Sequence, residues 1–120
     1  VLLVSTPNRI TFSPGRDTPL NPFHTRELNA AELTELLETA GFTLEGLYGV
    51  FHGAGLAACD ARHGGSIVDA QVARAVADAP WPEQLLADVA AVRADDFDLT
   101  PAGDRDIDDS LDLVAIAVRP

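Results

Sequence analysis

The chain has 120 residues, enough for one domain with its own core and too few for two. Eight arginines, no lysine and 19 acids give a formal net charge of −11, a surface that phosphate backbones repel and that speaks against a nucleic-acid partner. The longest apolar run, Leu113–Val118, falls far short of the ~20 residues that cross a bilayer, no charged segment leads into a hydrophobic stretch, and the lone Cys59 allows no internal disulfide, so the expectation is a cytoplasmic protein with no membrane partner.

The chain opens on Val1-Leu2-Leu3-Val4 and contains no methionine, which raises the expectation of a segment from a longer protein. Val1–Val4 reads as a strand apolar at successive positions, as in a sheet buried on both faces, and Ser5, Thr6, Pro7 and Asn8 stop it. Pro14, Gly15, Pro19 and Pro22 then forbid regular structure as far as Phe23. A helix is expected over residues 30–40. Asn29 is its N-cap, Glu32 completes a capping box, Leu33, Leu36, Leu37 and Ala40 share a face, and Gly41 supplies the left-handed stop.

Residues 43–51 follow as a second strand, making a strand–helix–strand unit. Gly53, Gly55, Gly64 and Gly65 mark a flexible stretch with no helix expected directly after Gly53-Ala54-Gly55. Ser66 caps a helix carrying Val68, Val72 and Val76, and Pro82 begins another carrying Leu85, Leu86, Val89 and Val92. Residues 95–109 read as an acidic turn region, and residues 111–118 as a closing strand inside a sheet.

Three stretches carry a family likeness: Leu2-Leu3-Val4-Ser5-Thr6-Pro7-Asn8-Arg9, Asn21-Pro22-Phe23-His24-Thr25-Arg26-Glu27-Leu28 running into Ala31-Glu32-Leu33, and Ser110-Leu111-Asp112-Leu113-Val114-Ala115. In this order the chain resembles the C-terminal half of a class I S-adenosylmethionine-dependent methyltransferase of the type 11-like kind. The resemblance implies an α/β fold: the C-terminal part of a Rossmann-like methyltransferase sheet, with strands five, six and an antiparallel seven and flanking helices. Residues 1–120 would then be one acceptor-side segment, with residues 60–96 a variable helical insertion. It further implies methyl transfer from S-adenosyl-L-methionine to a small or medium-sized acceptor. The family's glycine-rich loop and ribose-binding acid lie upstream of strand five and have no counterpart here, so the cofactor falls mainly to an N-terminal half. That half, or a homodimer partner, is expected to cover the open edge of the first strand. A different reading keeps the scaffold and drops the chemistry, as a non-catalytic remnant used for oligomerisation or partner binding.

Thr6, Asn8 and Arg9 lie beyond the carboxyl end of the first strand, where open α/β sheets place ligands, and are candidates for acceptor contact. The alternative is that Pro7 and Asn8 end the strand and Arg9 is solvated. On the next loop, His24 is the candidate catalytic base, because imidazole changes charge near neutral pH. Arg26 and Glu27 are candidate substrate-binding groups, the guanidinium suited to a carboxylate or phosphate. The alternative gives His24 and Glu27 structural hydrogen bonds at the helix entrance. His52, Cys59, Asp60 and His63 match no zinc spacing, Asp104, Asp106 and Asp108 no calcium loop, and no Gly-x-Ser-x-Gly elbow is present, so no metal and no serine nucleophile are expected.

Overall fold

The computed structural model describes all residues from Val1 to Pro120. The chain divides into two compact units, one formed by Val1–Phe51 with Leu99–Pro120 and the other by His52–Asp98. The elements in order are β1 (Leu2–Pro7), α1 (Arg9–Phe12), α2 (Ala30–Thr39), β2 (Thr43–His52), α3 (Ala54–Arg62), α4 (Ile67–Val76), α5 (Glu83–Ala90), β3 (Phe97–Pro101) and β4 (Asp112–Val118). This is a mixed α/β chain with one four-stranded sheet in the order β1-β4-β2-β3.

β4 is antiparallel to both of its neighbours, with Val4 opposite Ala115 on β1 and Leu47 opposite Ala115 on β2. Its alternation puts Leu113, Ala115 and Ala117 on one face, all fully buried. That face receives Ala30, Leu33 and Leu37 of α2. Burying a leucine side chain contributes about 1.5–3 kcal/mol, so Leu33 and Leu37 are the main anchors of this helix. Leu36 and Ala40 lie outside that contact, because the face touching the sheet is narrower than the apolar stripe.

Local chemistry sets both ends of α2. The Asn29 side chain accepts from the Glu32 amide at 2.9 Å, and the Glu32 carboxylate accepts from the Asn29 amide at 2.8 Å. At the other end Gly41 takes φ of +85°, which lets its amide reach the Glu38 carbonyl and the Phe42 amide reach the Leu37 carbonyl, a Schellman stop. Phe42 packs back on the same core.

Three readings of the sequence need correction. The stretch after β2 is not a flexible glycine segment: α3 starts at Ala54 with Gly53 as its N-cap. Leu56 and Cys59 of α3 pack with Ile67 and Leu85, so tertiary burial overrides the glycine-rich composition. The acidic turn region contains β3, which extends the sheet beside β2. β1 is not buried on both faces either, since Leu3 remains 68% exposed while Leu2 and Val4 pack on the core. No helix is long and apolar enough to cross a membrane.

Candidate functional site

The end of β1 is tied to the loop that follows it. Asn8 forms an isolated parallel bridge with Leu28, and the Arg9 amide donates to the Leu28 carbonyl at 3.0 Å. This places the irregular segment between α1 and α2 beside the carboxyl end of β1. The result is a cavity of about 260 Å3 lined by Thr6, Pro7, Phe23, His24, Thr25, Arg26 and Glu27. A second recess of about 260 Å3 shares Thr25, Arg26 and Glu27 and adds Arg9, Asp17, Pro19 and Glu32.

Glu27 is the buried centre of this wall, only 4% exposed. One of its carboxylate oxygens accepts from the Ser13 hydroxyl at 2.5 Å, and the other lies 2.8 Å from His24 Nδ1. Burial pushes the Glu27 carboxyl up, but the Ser13 and His24 hydrogen bonds and the charges of His24 and Arg16 outweigh it and hold it below the usual range. Glu27 is therefore a carboxylate, which only accepts hydrogen bonds, so Nδ1 of His24 carries the proton. The Nε2 atom accepts a long contact of 3.3 Å from the Asn21 side-chain amide. This is the tautomer a general base needs, with the lone pair on Nε2 only weakly engaged and the other nitrogen fixed by a carboxylate.

Ser13 is itself buried and accepts from the Leu20 amide at 2.9 Å, while Asn21 accepts from the Phe23 amide. Both belong to the network, and the sequence pattern pointed to neither. Arg26 is exposed and forms no ion pair, which leaves its guanidinium free at the shared wall of the two recesses.

Asn8 and Arg9 have other work. Asn8 is fully buried; its amide donates to the Asp108 and Ser110 carbonyls at 3.0 and 2.9 Å, and its oxygen caps α1 by accepting from the Ile10 amide. The Asn8 amide and oxygen are both engaged within the chain, which gives this side chain a structural role at the end of β1. The guanidinium of Arg9 holds Glu32 at 3.0 Å. The Asn29 amide, with Arg9 behind it, keeps the Glu32 carboxyl below its usual range against the opposing effect of burial. Thr6, His24, Arg26 and Glu27 come together at one recess, Arg9 borders the second, and Asn8 lines neither.

The four residues weighed as a metal set separate. His52 pairs with Asp60 at 2.6 Å. Cys59 and His63 instead join Asp88, with ligand-type atoms all within 4.8 Å of one another. Asp88 is already held by His63 at 2.7 Å, Gln84 at 2.9 Å and Arg62 at 3.4 Å. Its carboxyl is lowered to about 2, first by His63 and also by Gln84 and Arg62. Burial and the neighbouring Asp88 push the Cys59 thiol up, so it is no thiolate at neutral pH.

Comparison with known proteins gives near relatives and no solved structure. The chain is 88% identical over all its 120 residues to a protein of Mycolicibacterium smegmatis named a probable S-adenosylmethionine-dependent methyltransferase. It is 71% identical over its full length to Mycobacterium tuberculosis proteins of the same designation from two strains. The match covers 47% and 44% of those relatives, in their C-terminal parts, so the chain spans about half the length of the relatives it matches. No family model matches the chain, and no solved structure does.

Proposed function

From its similarity to the C-terminal parts of proteins named probable S-adenosylmethionine-dependent methyltransferases, we propose that the chain forms the acceptor side of such an enzyme and carries the base that prepares the acceptor. The observation that carries the reading is the Ser13–Glu27–His24 chain at the wall of the cavity beyond β1. In this reading the sheet's β1-β4-β2 order corresponds to the family's strands five, seven and six, supported by the antiparallel position of β4 between the other two.

S-adenosylmethionine supplies an electrophilic methyl group when bound. The residues of this chain do not fit it. Gly53, the only glycine at a strand-to-helix junction, lies so close to the Asp96 carbonyl that an added Cβ would sit 2.7 Å from it; protein backbone fills that space rather than a cofactor. Gly15, Gly64, Gly65 and Gly103 serve positive-φ turns facing open space. The remaining length of the relatives is the proposed cofactor holder.

What this chain contributes is the acceptor site. Thr6 and Arg26 hold its polar groups in the recess. His24 Nε2 exchanges its long Asn21 contact for the acceptor's proton, while Glu27 stabilises the imidazolium that forms. The free edge of β1 is the proposed docking line for the remainder of the enzyme, since β4 is the one strand paired with it. Reconstitution tests the reading. The 120-residue chain mixed with the N-terminal part of the smegmatis relative should transfer labelled methyl groups from S-adenosylmethionine into a cell extract, and neither piece should do so alone. Assembly of the two pieces without any methyl transfer would refute the enzymatic role and favour an accessory module.

A further inference from the structure

We infer that the His52–Asp98 unit carries a binding site for a small apolar molecule bearing one hydroxyl group, independent of the acceptor cavity. The unit carries a half-open recess of about 290 Å3 whose walls are chiefly Leu56, Ile67, Val68, Val89, Val92 and Phe97. An apolar recess with few polar atoms is the usual form of a small-molecule site, and those few atoms select the ligand. Here the polar wall comes from His52 and Gln71.

Each of them offers an acceptor. Asp60 fixes His52: one carboxylate oxygen faces His52 Nδ1 at 2.6 Å, and the other accepts from the Ile67 amide at 2.9 Å. A carboxylate accepts and does not donate, so Nδ1 carries the proton and Nε2 is a lone-pair acceptor with no partner in the chain. The ring is further held edge-on by Phe97, with centroids 5.6 Å apart. Gln71 donates one amide hydrogen to the Ile67 carbonyl at 3.1 Å, which leaves its oxygen as the second acceptor and its other amide hydrogen as a donor.

The ligand's polar end must therefore donate to His52 Nε2 and can accept from the remaining Gln71 amide hydrogen. Apolar walls penalise a charged donor such as an ammonium. A carboxylate offers no proton and meets a chain of net charge −11. A neutral hydroxyl satisfies both conditions. At about 30 Å3 per water-sized atom, the cavity takes a ligand of roughly ten heavy atoms.

The test is a titration of the full chain with 1-octanol, 1-methoxyheptane and octanoate, followed by methyl resonances of Val68, Val89 and Val92 and by the His52 ring nitrogens. The methyl ether matches the alcohol in heavy atoms but lacks the donor. Saturable shifts are expected with octanol, with binding about fivefold weaker for the ether, the worth of one hydrogen bond, and weaker still for octanoate. His52→Phe should erase the preference for alcohol over ether. Val68→Glu, at the exposed mouth of the cavity, should abolish binding without touching the core, so it tests the site even where His52→Phe fails to fold. Absent shifts up to the solubility of octanol, or equal binding of alcohol and ether, would overturn the inference.

Discussion

Replacing Asn8 with alanine removes the hub that joins the end of β1 to the turn before β4. Two well-formed bonds disappear, to the Asp108 and Ser110 carbonyls at 3.0 and 2.9 Å, together with the cap on α1. The Ser110 carbonyl keeps the Thr11 hydroxyl at 2.7 Å, and its loss is small. Asp108 is exposed enough for water to replace part of what it loses, so that carbonyl costs about 1 kcal/mol, the low end for an unsatisfied group. The lost cap adds about 1 kcal/mol, and the space left by the side chain about as much again. The total is on the order of 3 kcal/mol, roughly a hundredfold in the opening equilibrium. Amide exchange at Leu113 and Ala115 in β4 reads this directly, because both residues are fully buried in the strand that Asn8 anchors. Asn8→Asp should be worse still, since it sets a carboxylate against carbonyl oxygens. Protection factors within threefold of the parent chain for both variants would refute the structural role and return Asn8 to the acceptor site.

Asn29→Ala should cost about 1 kcal/mol, read as a lower urea midpoint, because both halves of the capping box depend on this residue. An unchanged midpoint would contradict the box. The Asp88 carboxyl is lowered from 3.8 to about 2 in the folded chain, so its contribution to stability is present in full above pH ~4 and lost as pH falls from there toward 2. Trp81, packed on the same core, reports this loss by fluorescence, and Asp88→Asn should flatten the profile across that window. A variant as steep as the parent chain would place the acid sensitivity elsewhere.

The parts of the fold visible in the sequence are those that local chemistry decides. Asn29, Glu32, Leu33, Leu37 and Gly41 each act within α2 or on its packed face, and all five do what their spacing implies. α3 and β3 form for reasons that spacing does not record. α3 opens on a glycine cap without a side-chain hydrogen bond and depends on Leu56 and Cys59 meeting Ile67 and Leu85. β3 carries Asp98 and Pro101, poor strand formers, and exists because β2 offers it an edge. The site divides the same way. Position after a strand pointed to Thr6, His24, Arg26 and Glu27, which do share a cavity. The contacts of Ser13 and Asn8 span 14 and 102 residues, distances at which side-chain pairing leaves no periodic trace. One local signal did exist for Asn8: an asparagine directly before Arg9-Ile10-Thr11-Phe12 is a helix cap.

The central claim, that this chain supplies the base and the acceptor pocket while the cofactor is held elsewhere, turns on His24. The direct measurement is made in the full-length smegmatis relative carrying the equivalent of His24→Ala, with methyl transfer from labelled S-adenosylmethionine and cofactor affinity determined on the same preparation. Loss of a general base predicts a rate lowered about a hundredfold or more, with the dissociation constant of S-adenosylmethionine unchanged. A rate equal to that of the parent protein, or a loss of cofactor affinity that accounts for the lost rate, would contradict the account.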